Sequence, residues 1–257
     1  MNNRNNNAKP GTESSLHELC ARLSAYTSDS MPFLQGIAAE QYVEALQQAV
    51  SRPGEISQGV NGTCGAAVLC KYLAEKHPAL YSDIAISLYE SGKHDSTRLK
   101  LPTSMQYITP DDSIRIGQSV TDTVMQTAIT RSNNMFLAYS PTGDMQAKKH
   151  GFSKVKAGTT SFMHPAFMLW FIRKRLKKKV RVLILPTVQQ LCRIDYRAGF
   201  VIALTHYSKW NLVLGMPNHY IQITNACGNT IDYWSWGGYY TASIKKHAIH
   251  AVFIIEE

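Results

Sequence analysis

Apolar positions recur at helical spacing through the first half of the chain and at strand spacing through the second. From Ser15 to Leu23 the rhythm is Leu16, Leu19, Cys20 and Leu23, with Ser14 or Ser15 as cap. Ala38 to Val50 repeats it with Tyr42, Val43, Leu46 and Val50. A third helix starts at or near Cys64, after turn-forming Pro53-Gly54, Gly59 and Gly62. Its apolar face is Ala67, Val68, Leu69, Tyr72 and Leu73, and its polar face is Lys71, Glu75 and Lys76. It stops near His77-Pro78, because proline disfavours helix in the residue before it. Ala79 to Gly92 forms the next, with Gly92 as its stop. Lys93 to Thr109 reads as loop. Asp111 or Asp112 then opens a single helix to about Ser132, with Ile116, Val120, Val124 and Ile129 inward.

The rhythm changes at Met135–Tyr139, a short apolar run bounded by Asn134 and Pro141 that predicts a strand or an extended segment. Residues 143–158 are polar, basic and punctuated by glycine, which predicts a mobile loop. Thr159-Thr160 to Arg175 predicts a helix, with Pro165 in its first turn and His164 as cap. Strands are expected at Val180–Leu185, Phe200–His206, Tyr220–Thr224, Thr230–Trp234 and His250–Ile255. Helices first and strands afterwards predict an α+β protein. A helical lobe over 15–133 packs on an antiparallel sheet lobe over 134–257, as one domain (15–257) behind a polar, Asn-rich, disordered tail, 1–14.

The 257 residues, 44% hydrophobic and 18% charged, describe a globular chain with room for a core. The net charge of +9 points to nucleic acid, anionic lipid or an acidic polymer such as a cell wall. Much of it lies in Arg173–Lys179, which reads as the wet face of a helix. No aromatic residues interleave with these charges to stack bases, so nucleic acid is the weaker partner. The five cysteines are odd in number and lack CxxC spacing, which argues against a disulfide framework and a zinc site. No cofactor is implied. The stretch from Met1 to Asn7 lacks the apolar core of a secretory signal peptide, so synthesis in the cytoplasm is expected. The longest apolar run, Phe162 to Ile172, is too short to span a bilayer.

Candidate chemistry begins with Gln58-Gly59-Val60-Asn61-Gly62-Thr63-Cys64. At a helix N-terminus, unpaired N–H groups favour negative charge and draw a thiol pKa down from about 8.5. Gln58, six residues upstream, can fold back so that its amide and the Cys64 N–H face one developing oxyanion. The bland alternative is a small buried hydrophobe opening a helix. In the second half His219 stands at the mouth of a strand. On a return strand Asp232 comes level with it and orients its imidazole toward Cys64. His206 is the competing base, Asn218 and Asn229 are substitutes for Asp232, and Trp234 and Trp236 read as packing.

These elements resemble the papain-like cysteine peptidase superfamily: Gln58 six before Cys64, His219 at a strand start, Asp232, then Trp236-Gly237. The resemblance implies a papain-like fold with Cys64 as nucleophile, His219 as base and acid, Asp232 as orienting group, and an oxyanion hole from Gln58 and the Cys64 amide. Asn61 stands where papain has a second Cys, and Ala66 follows Gly65 in place of an aromatic. An Asp in place of Asn is similar to the bacteriocin-processing, NlpC-type and virulence-effector branches. That implies a peptidase or amidase acting on peptide, protein or peptidoglycan. It also implies a toxin or effector secreted by a specialised system, with an immunity protein or inhibitor as partner. The same triad serves acyltransferases and transglutaminases, and a non-catalytic module docking on anionic surfaces is the rival outside enzymes.

Overall fold

The computed structural model describes residues 18–26, 31–133, 139–141, 163–206, 219–244 and 249–257. The expected tail 1–14, strand 135–139 (all but Tyr139), loop 143–158, helix start at 159–160 and Asn218 lie outside them.

Helix fills the first half. The described chain opens in helix at 18–24 (α1), followed by Ala39–Ser51 (α2), Cys64–Lys76 (α3) and Pro78–Ser91 (α4). Gly92 ends α4 in the left-handed conformation at φ 69, as its place after the last apolar residue requires. The stretch expected as loop carries a two-residue hairpin, β1 (Lys93–His94) with β2 (Leu99–Lys100), and a 3-10 turn over Thr103–Tyr107.

The helix expected from Asp111 to Ser132 is two. Thr109 caps Pro110–Ile116 (α5) in a reciprocal box with Asp112, and Gly117 ends it at φ 79. Val120–Asn133 (α6) then starts afresh. The break frees the Ile116 carbonyl, which accepts the Val60 N–H at 2.9 Å. One interrupted helix thus helps to fix the loop leading to Cys64.

All residues of α3 from Cys64 to Ala74 are buried, Lys71 included, so of the expected polar face only Glu75 and Lys76 reach solvent. The cause is position: α3 touches α4 and α6 on one side and the sheet on the other. Lys71 Nζ pairs with Glu75 and lies 5.7, 5.6 and 5.6 Å from the ring centroids of Phe200, Trp234 and Tyr239.

Pro165–Trp170 (α7), capped by His164 as expected, passes into a π-helical turn over Phe171–Arg175. The basic run Arg173–Lys179 is therefore helical only to Arg175 and is not a continuous helix face. The second half is a six-stranded antiparallel sheet of order β3-β8-β4-β5-β6-β7. Its strands are Val180–Ile184 (β3), Gly199–Thr205 (β4), His219–Cys227 (β5), Thr230–Ser235 (β6), Gly238–Ser243 (β7) and Ile249–Glu256 (β8). The edge strand β7 and the short helix Val188–Cys192 (α8) were not expected from the pattern. Alternation along the strands sends Phe200, Tyr220 and Trp234 into the core shared with the helices. It sends Val201, Ile221 and Tyr233 to a second core with Leu191 of α8. The protein is mixed α+β, with its helices mainly in the first half and its main sheet at the C-terminal end.

Candidate active site

The loop before α3 is held by close backbone contact and by buried amides from the α5–α6 region. Gly59 has φ 57, and a Cβ there would lie 2.0 Å from the Ile116 carbonyl oxygen. Only glycine fits, on both counts. Gln118 Nε2 donates to the Gln58 carbonyl at 2.8 Å and to Gln126 Oε1 at 3.0 Å. Gln126 in turn donates to the Ser57 carbonyl at 2.8 Å and accepts from Thr63 Oγ1 at 2.7 Å. Asp122 Oδ2 accepts the Ser57 N–H at 3.2 Å. Its burial pushes this carboxyl up to about 7, against the pull of that N–H and of Ser119. A buried network of this kind fixes geometry, although Asp122 Oδ1 has no hydrogen-bond partner among the described residues.

Thr63, at the N-cap of α3, makes no capping side-chain bond because its hydroxyl is turned to Gln126. The helix also has no acidic residue in its first turn. Its N-terminal field therefore acts on Cys64 without a competing carboxylate in that turn. Gln58 is buried, and its Nε2 donates to the Asn61 carbonyl at 3.1 Å. That bond uses one of two amide hydrogens.

Cys64 meets the sheet where β5 and β6 part. The β4–β5 ladder runs down to Thr205↔His219, whereas the β5–β6 ladder begins only at Gln222↔Trp234. At that level the Tyr220 N–H donates to Cys64 Sγ at 3.4 Å. The sulfur thus lies against the peptide unit joining His219 to Tyr220. The approach depends on Gly65, where a Cβ would stand 2.8 Å from Met163 Cβ and 3.2 Å from the Tyr220 ring. Burial, with the Cys64 sulfur beside it, pushes the Tyr220 phenol above its usual range, and its hydroxyl donates to the Met163 carbonyl at 2.8 Å.

His219 is buried at the first position of β5. Its Nε2 is 2.8 Å from Ser235 Oγ, and its ring stacks on Trp236 at 4.4 Å between centroids, 22° from parallel. Trp236 and Gly237 have φ 48 and 76, a left-handed pair that turns the chain after β6 and lays the indole on the imidazole. Trp236 packs, as expected, but on the imidazole of His219.

The placement of Asp232 corrects the expected orienting role. Asp232 pairs with Asn225 and Thr241, and its carboxylate accepts from Asn225 Nδ2 at 3.2 Å and Thr241 Oγ1 at 2.5 Å. Asn225 is six residues along β5 from His219, about 20 Å of strand. Asp232 also lies three residues from Ser235, an odd step that sends the two side chains to opposite faces of β6. The hairpin turns at Gly228-Asn229, with Cys227 opposite Thr230, so the residue level with His219 lies beyond Ser235. Counting back from that turn excludes Asp232 as the neighbour of His219 but does not single out Ser235, and the glutamine network carries no sequence signal either.

The other candidates are also accounted for. His206 follows β4 and meets His250 edge-to-face at 4.3 Å, on the β8 side. Asn229 sits in the hairpin turn, its carbonyl accepting from Ile244. Trp234 is packed, with its Nε1 donating to the Gly54 carbonyl at 2.7 Å. Among the described residues no group of three His, Cys, Asp or Glu side chains could hold a metal ion, and no helix is long and apolar enough to cross a membrane. Compared with known proteins, the chain matches no family model, no curated protein and no solved structure.

Proposed function

We propose that this chain is a cysteine-dependent amide hydrolase, a peptidase or peptidoglycan amidase on a papain-like scaffold. The observation that carries the reading is the bond from the Tyr220 N–H to Cys64 Sγ. It joins segments 156 residues apart and sets the sulfur beside the residue that bears the buried imidazole. A backbone N–H on the sulfur and a helix N-terminus behind it both favour the thiolate.

In the cycle, the Cys64 thiol proton passes to His219 and the sulfur attacks the amide carbonyl, forming an S–C bond. The second Gln58 amide hydrogen and the Cys64 N–H hold the oxyanion. Its collapse breaks the C–N bond, and His219 gives its proton to the leaving amine. Water then attacks the thioester with His219 as base, releasing the acid and restoring the thiol. Ser235 holds Nε2 of the ring, which reserves Nδ1 for the sulfur, and Trp236 shields one ring face.

Two measurements test this. Iodoacetamide at pH 6 labels Cys64 ahead of exposed Cys192 and Cys227 and ahead of Cys70, whose thiol burial pushes up. Purified peptidoglycan and a protein lysate, each treated with wild type and Cys64→Ala, are then compared by mass spectrometry for new amine and carboxyl termini. Cleavage in one substrate that vanishes in a folded Cys64→Ala is the expected result. A folded Cys64→Ala that still cleaves ends the proposal.

A further inference from the structure

The structure assigns a second site, remote from Cys64: the concavity lined by Arg173, Lys177, Lys178, Lys179 and Val180 binds a compact polyphosphate, either free or as a lipid headgroup. Its volume is 420 Å³. The π-helical turn presents Arg173, whose Nη2 donates to the Val180 carbonyl at 3.1 Å and so ties the guanidinium to the start of β3. Lys177 then takes φ 54, a left-handed conformation that an L side chain adopts at a cost of about 1 kcal/mol. The reversal is closed by the Lys178 N–H on the Ile172 carbonyl at 3.1 Å, and it brings the three lysines to the wall that Arg173 already forms.

The charge balance selects the ligand. Among the described residues, the carboxylate at this wall is Glu257, 3.1 Å from Lys178 Nζ. It is shared with His77 Nε2 at 3.1 Å and the Tyr72 hydroxyl at 2.9 Å. With Lys178 held by Glu257, the other three cations, Arg173, Lys177 and Lys179, repel each other unless an anion sits among them. One phosphate occupies one or two of them; several phosphates on a small scaffold engage all three, through the fork of Arg173 and the lysine ammonium groups. Arg175, by contrast, stacks on Trp170 at 4.5 Å, and Lys174 does not line the hollow.

The site is independent of catalysis. Val180 pairs with Ile255 and His219 with Thr205, itself opposite Ile249. The two sites therefore lie at opposite ends of β8, about 20 Å apart along the strand.

The test uses the full chain and two probes. Inositol hexakisphosphate is titrated calorimetrically, and sedimentation is measured with phosphatidylcholine vesicles carrying phosphatidylinositol bisphosphate or charge-matched phosphatidylserine. Lys177→Glu with Lys179→Glu changes two exposed side chains. Lys174→Glu with Lys100→Glu matches the charge change away from the hollow. The hollow pair is expected to weaken binding more than about tenfold and the control pair by less than about twofold, while Cys64→Ala binds as wild type. Binding of the soluble probe alone identifies a free polyphosphate, and binding of the bisphosphate vesicles alone a headgroup. Equal loss in both pairs, equal binding to phosphatidylserine vesicles, or binding of neither probe overturns the site.

Discussion

The hydroxyl of Ser235 lies 2.8 Å from His219 Nε2, where a carboxylate would both orient the ring and stabilise its protonated form. A hydroxyl does the first and little of the second. The proposed thiolate–imidazolium pair then relies on the α3 terminus and the Tyr220 N–H for its negative half. Ser235→Ala is expected to lower kcat about tenfold with KM unchanged, since the ring loses its anchor while Trp236 still covers it. Ser235→Asp is expected to move the alkaline limb of the pH–rate profile upward, because an adjacent carboxylate holds the imidazolium to higher pH. Asp232→Asn, on the other face of β6 against Thr241, is expected to leave turnover unchanged. Steady-state rates for the three variants across pH check all of this; a large loss in Asp232→Asn alone would return the orienting role to the carboxylate. The meeting of Cys64 with the start of β5 was legible because both sit at element boundaries marked by glycine, proline or a change of rhythm. Asp232 was placed level with His219 because residue type was weighed above hairpin register, which sets it opposite Asn225.

Helix α3 shows what periodicity alone hides. A helix covered on both sides shows little polar face, and a lysine within it reads as solvated unless the partner rings are known. Lys71 is 0% exposed, and its partners come from β4, β6, β7 and its own helix. Glu75 reaches solvent and also pairs with Lys76 at 3.3 Å, so Lys71 contributes mainly by filling space among the rings. Lys71→Met keeps the volume and removes the charge, so it is expected to stay within about 1 kcal/mol of wild type. Lys71→Ala leaves a cavity under three rings, while Glu75 keeps Lys76, and is expected to cost about 2–4 kcal/mol. Urea denaturation of both variants decides it, and a Met variant as damaged as the Ala variant would show that the cation–π contacts dominate. The break between α5 and α6 was hidden for a related reason. Ile116 and Val120 keep helical spacing across it, and only Gly117 and the contact of its neighbour with Val60 mark the interruption.

At the scale of the whole molecule, the order of helices before strands was readable from period alone, and the sheet order was not. Strand order depends on long-range pairing of β8 between β3 and β4, for which local pattern holds no record. The same long-range packing produces the buried carboxyl of Asp122, which lines a 220 Å³ cavity with Arg52, Glu55 and Ser57 behind the Cys64 loop. The folded chain holds this carboxyl at about 7, against an ordinary value of 3.8 that the unfolded chain keeps. Between these two values the folded state retains a proton that the unfolded state has lost. Folding stability therefore falls as pH rises through that window and stays at the lower level above it. The drop is on the order of a few kcal/mol. Asp122→Asn keeps an acceptor for the Ser57 N–H and removes the titration. Urea midpoints measured from pH 5 to pH 8 are expected to decline less steeply in the variant than in wild type, with the variant gaining most at pH 8. The Cys64 loop hangs from the same carboxylate through Ser57, so iodoacetamide labelling of Cys64 is expected to change less between pH 6 and pH 8 in the variant than in wild type. Parallel midpoint curves would place the titration outside Asp122.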